Sequence, residues 1–188
     1  MCATLRRGHV ESLPVDAITL EVSSLKLSHD ATLPEYSKAV FLALFSMIES
    51  QHQSAAAAAE SKASTIPQWL KVTKTMLSSL KKVFTKWKSV LVKFGKATRD
   101  QLQLLYGLEN ACLSNEVAFG ELFAWTLRYC YDDDVITEAA VLAWDDERSA
   151  QKQNNSLSAS QSALMRLVQP FIESLRNASE DEEEGDDE

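Results

Sequence analysis

Two runs of acidic residues, each close to aromatic side chains, are the features of this sequence whose residue types and spacing best suit a chemical role. Seven acids and no base lie between Tyr131 and Glu147, and eight more acids lie between Glu180 and Glu188. Dense carboxylates steer encounters with lysine-rich surfaces, and aromatic rings supply strong contacts in protein interfaces. The pattern predicts docking of a lysine-rich partner segment. Its predicted members are Asp132, Asp133, Asp134, Trp144, Asp145, Asp146, Glu147, Phe171, Glu180, Asp181 and Glu182.

A plainer interpretation of the same residues stays open. Acidic runs can simply keep a chain soluble, and Trp144 follows the apolar pair Val141 and Leu142, as an ordinary core residue would. The exposure of the Trp144 ring distinguishes the two interpretations.

The motifs of covalent, metal and nucleotide chemistry are missing from the sequence. The five glycines are isolated, so no GxGxxG or GxxxxGK[ST] loop is present to cradle a phosphate. His9, His29 and His52 have no metal-ligand spacing, and the three cysteines form no CxxC pair. We therefore expect no metal site, no cofactor, no direct nucleotide binding and no covalent catalysis.

Composition indicates a helical protein of one ordinary domain. Glycine and proline together account for nine of the 188 residues, too few for the turns of a sandwich or barrel. The sequence has three scattered cysteines and no uncharged apolar run of membrane-spanning length. No apolar segment follows the first ten residues, as it would in a secretory signal. We therefore expect a cytoplasmic chain without a secretory signal.

The elements that must position these residues are helices, because apolar side chains recur every three or four positions. Val15, Ile18, Val22 and Leu25 form one such stripe, and Leu20 with Leu27 forms a second apolar edge, so we expect this helix to be packed on two sides. Further helices are predicted over 36–52, from 67 to about 94, and over 99–112, 116–129, 137–144 and 160–178, with Thr137 as an N-cap and 154–162 as a polar loop. The expected core includes Val15, Ile18, Leu25, Val40, Leu44, Leu80, Phe84, Leu122 and Leu142.

These patterns predict an all-α fold of stacked antiparallel helix pairs. We expect one domain over 1–178 and a disordered acidic tail over 179–188. The alanine-rich segment over 54–65 is expected to be a loop, an insertion or a frayed helix end. The stretch 61–99 holds ten lysines and arginines and no acid. It suits either the outer face of a core helix or a helix that binds membrane or nucleic acid, and core packing is the preferred interpretation.

Segments at both ends of the chain resemble a known family. Thr4-Leu5-Arg6-Arg7 precedes the stretch ITLEVSSLKLS at 18–28, and aromatic and acidic boxes follow at 127–144 and 169–179. The two boxes resemble those that end the C-terminal HEAT-type domain shared by translation initiation factor five and the epsilon subunit of the exchange factor for initiation factor two. The first segment resembles the epsilon subunit rather than factor five.

The resemblance implies a HEAT-like fold and guanine-nucleotide exchange on initiation factor two. By it, Thr4, Leu20, Glu21 and Ser28 match positions implicated in exchange, and Trp144 matches an aromatic residue that binds the substrate factor. Two positions depart from the pattern, since Val22 stands where relatives commonly have Asn, and Ser174 where the second box usually has Trp.

The implied partners are the gamma G domain and the lysine-rich beta segment of initiation factor two, together with other subunits of the exchange complex. This chain would then be the catalytic fragment of a larger subunit. Glu21 would favour the nucleotide-free G domain by acting near its phosphate and Mg²⁺ site. The alternatives are that Glu21 is a solvated helix residue, and that the chain is a non-catalytic scaffolding module like that of factor five.

Overall fold

The computed structural model describes residues 1–59, 68–114, 120 and 122–183, and within these ranges the backbone forms eight α-helices and no strand. The predicted all-α fold of helix pairs is therefore confirmed. The helices are α1 (Cys2–Val10), α2 (Val15–Ser28), α3 (Leu33–Ala59), α4 (Gln68–Val92), α5 (Thr98–Ser114), α6 (Leu122–Asp132), α7 (Glu138–Gln153) and α8 (Ala159–Glu183). None of the described helices is long and apolar enough to cross a membrane.

The chain divides into two compact units, Met1–Phe94 and Gly95–Glu188, called unit 1 and unit 2 below. Unit 1 contains α1 to α4, and unit 2 contains α5 to α8. The single domain that the sequence predicts over 1–178 stays a prediction.

Unit 1 is built around the apolar side of α3. Helix α3 packs against α1 and α4, and α2 packs against the same two helices. Phe41 and Phe45 of α3 meet Phe84 of α4, with ring centroids 6.1–6.4 Å apart. All three side chains are fully buried, so this aromatic cluster is the centre of the core of unit 1.

Helix α1 is a short element that the sequence analysis did not identify. A Cβ atom at Gly8 would lie 2.6 Å from Cγ1 of Ile18 and 3.1 Å from Cη2 of Trp87. Glycine therefore allows α1 to approach α2 and the Trp87 ring closely. Leu5, fully buried one turn earlier, fixes the same side of α1 to the core.

Helix α3 has a clear start and a longer extent than expected. The backbone N–H and the hydroxyl of Thr32 both donate to Glu35, 2.9 and 2.7 Å away, and these bonds lower the pKa of the Glu35 carboxyl. At its other end α3 continues to Ala59, so residues 54–59 are helical, where the sequence left a loop and a frayed helix end open. Alanine has the highest helix propensity, which explains helix formation without an amphipathic pattern. Residues 60–65 lie outside the described part of the chain.

Unit 2 is built around α5, which packs against α6, α7 and α8. Thr137 occupies the N-cap position of α7 as predicted, but its hydroxyl donates to Oε1 of Gln101 at 2.6 Å instead of to its own helix. Gln101 in turn donates to the carbonyl of Gly95 at 3.2 Å. These bonds join the start of α5 to the start of α7. Helix α8 reaches Glu183, so the first residues of the predicted disordered tail, 179–183, are helical, and 184–188 are not described.

Most of the expected core residues are buried, and three are not fully buried. Ile18, Val40, Leu44, Leu80, Phe84 and Leu122 are buried as predicted. Val15, Leu25 and Leu142 are half-buried. They belong to the predicted apolar faces but lie toward the edges of those faces.

Candidate functional site

One side of α2 presents apolar and acidic side chains to solvent together. Leu20 is 62% exposed and Leu27 is 74% exposed, while Glu21 and Ser28 beside them are exposed as well. The second apolar edge of α2 was expected to be packed, and this prediction is wrong, because α1 and α4 leave that edge to solvent. We call Leu20, Glu21, Leu27 and Ser28 the α2 face.

Glu21 is linked to helix α1 by an ion pair. Its Oε2 lies 2.6 Å from Nη2 of Arg7, and the two side chains are 43% and 48% exposed. Thr4 lies one turn before Arg7 on α1 and is half-buried. The structure therefore gathers Leu20, Glu21 and Ser28 on one face and connects that face to the helix of Thr4.

The opposite side of α2 is buried and apolar at Val22. Val22 is fully buried, and Ile18 is only 2% exposed. An apolar side chain fits this environment, whereas an amide here would need hydrogen-bond partners to be buried without cost.

The first acidic box surrounds the turn between α6 and α7. Asp132 lies 3.5 Å from Nε of Arg128, and the hydroxyl of Tyr129 donates to Oδ2 of Asp133 at 2.7 Å. Asp134 is exposed, with a left-handed φ of 54°. A shallow concave surface here is lined by Tyr131, Asp132, Asp134, Ile136, Thr137 and Glu138. Three carboxylates on one concave surface can receive a lysine side chain.

Trp144 is not part of any exposed surface, so its predicted contact with a partner is wrong. The ring is fully buried against Phe123, with centroids 5.6 Å apart, and its Nε1 donates to Glu109 at 3.3 Å. Val141, Trp144 and Arg148 follow helical spacing along α7, and this stripe faces the core of unit 2. Trp144 stabilises the unit instead.

Glu109 is the centre of a buried polar cluster that sequence reasoning missed. Its side chain is 2% exposed and accepts hydrogen bonds from Arg148, whose Nη2 lies 2.5 Å from Oε2 and whose Nε lies 3.1 and 3.0 Å from the two oxygens. Gln161 of α8 donates to the same carboxylate at 3.2 Å. The signal in the sequence was an acid at an apolar position of α5, four residues after Leu105 and three before Cys112.

Arg176 neutralises two acids that had been assigned to partner binding. Its Nη2 lies 2.5 Å from Asp146 and 2.9 Å from Asp145, and Asp145 is 5% exposed. The bond to Asp146, then the bond to Asp145, raise the pKa of the guanidinium. Asp145 is therefore a buried residue that joins α7 to α8, which corrects its assignment to the docking surface. The side chains of Glu180, Asp181 and Glu182 lie outside the described residues.

Glu147 is also engaged within unit 2. It accepts a hydrogen bond from the hydroxyl of Tyr106, and burial first, then this bond, raises the pKa of Tyr106 to about 12. The Tyr106 ring lies under the Arg148 guanidinium, with Cζ 4.8 Å from the centroid.

The second box meets the first through Phe171. The Phe171 ring packs edge-to-face on Tyr131 at 5.4 Å, and the Arg128 guanidinium lies 5.5 Å from its centroid. Ser174 is exposed and donates to the carbonyl of Phe171 at 2.6 Å. Phe171 is thus the half-buried aromatic link between α6 and α8.

Two exposed apolar residues that the sequence analysis overlooked flank this link. Trp125 is 50% exposed and precedes Asp132 by seven residues, which places both on one side of α6. Leu167 is 47% exposed and lies one turn before Phe171 on α8. The seven-residue spacing of Trp125 and Asp132 was the signal in the sequence that could have placed Trp125 beside the acidic residues. We call Trp125, Asp132, Asp134, Leu167 and Phe171 the α6–α8 surface.

The described residues contain no group of three or more His, Cys, Asp or Glu side chains placed to hold a metal ion. The α2 face and the α6–α8 surface each combine exposed apolar side chains with exposed carboxylates. Both are suited to contact another macromolecule.

Comparisons with known proteins found one match over unit 2 and another over nearly the whole chain. Residues 100–185, nearly all of unit 2, match the W2 family model, described as eIF4-gamma/eIF5/eIF2-epsilon. Over 178 residues, 95% of its length, the chain is 24% identical to translation initiation factor eIF2B subunit epsilon of Dictyostelium discoideum. The chain spans 22% of that relative's length. Residues 100–185 are therefore similar to the W2 family, and the resemblance of the chain to the C-terminal domain of the eIF2B epsilon subunit is confirmed.

Proposed function

We propose that this chain promotes the release of GDP from the gamma G-domain subunit of translation initiation factor two by binding the nucleotide-free state more tightly than the nucleotide-bound state. The observation that carries this proposal is the α2 face, where Glu21 lies beside the exposed side chains of Leu20 and Leu27. Apolar side chains at this exposure supply contact area for a partner, and the carboxylate supplies a charge.

Differential binding is enough to catalyse nucleotide release without making or breaking a bond. In this mechanism Leu20 and Leu27 dock on the G domain, and Glu21 competes for the cation or pairs with a phosphate-binding lysine. Glu21 must first leave Arg7. Because both side chains of that pair are about half exposed, separating them costs no more than about 1 kcal/mol. Arg7 therefore holds Glu21 in place without preventing its transfer to a partner.

The α6–α8 surface supplies a second contact in the same proposal, for the lysine-rich segment of the beta subunit of initiation factor two. Trp125, Leu167 and Phe171 offer apolar anchors, and the concave surface with Asp132 and Asp134 accepts lysine side chains. Charge steers the encounter, so association should slow as salt rises. Contacts to other subunits of an exchange complex would come from regions outside this chain, and the location of the activity would be the cytoplasm.

A release assay tests the proposal. Purified initiation factor two is loaded with fluorescent GDP, excess unlabelled GDP is added, and the release rate is measured with and without this chain. The proposal expects a rate that rises with the concentration of the chain and then saturates. An unchanged rate at concentrations where the chain binds the factor would contradict exchange activity.

The same outcome would support a second function, a scaffolding module without exchange activity. The observation that favours it is the extent of the family match, which covers unit 2 and not the α2 face, in a family whose description includes eIF5. A scaffolding module requires the α6–α8 surface alone. A scaffolding module would be identified by two results together: the wild-type chain does not accelerate GDP release, and changes at Asp132 and Asp134 weaken its binding to the factor.

A further inference from the structure

The outward side of α4 carries only lysine, serine and threonine along about three helical turns. At 100° per residue these side chains fall within one arc of the helix, and the apolar residues Leu80, Phe84 and Trp87 occupy the buried side. Most members are exposed, and Lys86 and Lys88 are partly buried. We call this set the α4 lysine face, and it consists of Ser78, Lys81, Lys82, Thr85, Lys86, Lys88 and Ser89.

Three of the four lysines of this face, Lys81, Lys82 and Lys86, have no carboxylate partner among the described residues. Unit 1 as a whole holds twelve lysines and arginines and seven acids, a formal charge of +5, although the chain carries −8. Lys82 and Lys86 stand four residues apart, an arrangement of like charges that is unfavourable in a helix.

The residue types of the face point to phosphate rather than to protein or lipid. Interfaces between proteins depend on buried aromatic and aliphatic anchors, and the face has none between Ser78 and Ser89. Insertion into a membrane needs an exposed apolar side, whereas Phe84 and Trp87 are fully buried. Lysine, serine and threonine are the side chains that commonly contact the phosphates of nucleic acids.

We propose that the α4 lysine face binds the phosphate backbone of RNA without reading its sequence. Lysine ammonium groups neutralise phosphates, and the hydroxyls of Ser78 and Ser89 donate hydrogen bonds to phosphate oxygens. No exposed aromatic ring stands on the face to stack on bases, so the affinity depends on length and charge instead of on base identity. This activity is separate from nucleotide exchange and uses a different helix of unit 1.

Fluorescence anisotropy with a labelled oligouridine of about 20 nucleotides tests the proposal on the full 188-residue chain. Affinity is measured from about 50 to about 200 mM salt for the wild type and for the double variant Lys81→Gln/Lys82→Gln. Each phosphate contact on a single strand contributes about 0.7 to the slope of log affinity against log salt. The variant should therefore lower the magnitude of the slope by about 1.4 and weaken binding at least tenfold.

The matched control is Lys152→Gln/Arg166→Gln, which removes two exposed positive charges from unit 2. It should keep the wild-type slope and stay within about twofold of the wild-type affinity. Equal losses in both double variants would overturn the proposal, because the effect would then follow net charge and not the face. Tighter binding of polyglutamate of similar charge than of RNA would also overturn it and would identify an acidic protein segment as the occupant.

Discussion

Replacing Glu109 by alanine is expected to destabilise unit 2 severely. The change removes the carboxylate that accepts hydrogen bonds from Nε and Nη2 of Arg148, whose side chain is 11% exposed. It also removes the acceptor of the hydrogen bond from Nε1 of Trp144. Removing one member of a buried ion pair typically costs about 3–5 kcal/mol, because the remaining charge is left without compensation. We expect a loss in this range for Glu109→Ala.

Thiol labelling of Cys130 measures this loss in unit 2 alone. Cys130 is fully buried on α6, so it reacts when that part of the fold opens. When the reagent labels the opened form more slowly than that form closes again, the labelling rate follows the population of the opened form. A loss of about 3–5 kcal/mol then raises the labelling rate by about two to three and a half powers of ten. Peptide mass spectrometry separates Cys130 from Cys2 and Cys112.

The matched control replaces both charged partners, Glu109→Leu with Arg148→Met. Replacing a buried pair by apolar residues of similar volume is often close to neutral, so the double variant should label much more slowly than Glu109→Ala. A rise of less than about fivefold for Glu109→Ala, roughly 1 kcal/mol, would refute the reasoning. It would mean that Arg148 finds solvent or another acceptor when Glu109 is absent.

Four further changes have defined outcomes. Phe84→Ala should cost about 3–5 kcal/mol in thermal or urea unfolding, since the ring is fully buried in the aromatic cluster of unit 1, and a loss below about 1 kcal/mol would place the ring at the surface. Gly8→Ala should cost about 1–3 kcal/mol, because the added methyl lies 2.6 Å from Ile18, and an unchanged melting temperature would show that α1 shifts freely. Trp125→Ala should raise the dissociation rate of a lysine-rich peptide in surface plasmon resonance without changing stability, and an unchanged rate would remove the ring from the docking surface. Burial lowers the pKa of His9 below 6.5, so as the pH falls the unfolded chain binds a proton before the folded chain does. The free energy of unfolding should therefore decrease as the pH drops below 6.5. In urea titrations over the same pH range, the free energy of unfolding of His9→Gln should decrease less.

Hydrophobic periodicity predicted most of the helices because a buried stripe repeats every three or four residues whatever its partner is. It missed α1, which is nine residues long and contacts the core through Leu5 and through the absence of a side chain at Gly8. It also ended α3 too early, since alanines form helix by propensity without any stripe.

The site residues were harder to assign than the helices, because a sequence shows residue types but not which side of a helix is covered. Trp144 and Leu20 illustrate both errors: the first was expected outside and is buried, and the second was expected packed and is exposed. Pairs distant in sequence, such as Glu109 with Arg148, leave no local pattern at all. Only the packing of α5 on α7 reveals them.

The release of fluorescent GDP from initiation factor two by the Glu21→Ala variant tests the proposed exchange mechanism most directly. The carboxylate is 43% exposed, so its removal should change stability by no more than about 1 kcal/mol. We expect binding to the factor to persist through the α6–α8 surface while release slows tenfold or more, about 1.4 kcal/mol of transition-state stabilisation. The control Glu11→Ala removes another exposed acid of unit 1 and should release GDP at the wild-type rate. Release by folded Glu21→Ala at the wild-type rate would contradict the assignment of exchange to the α2 face.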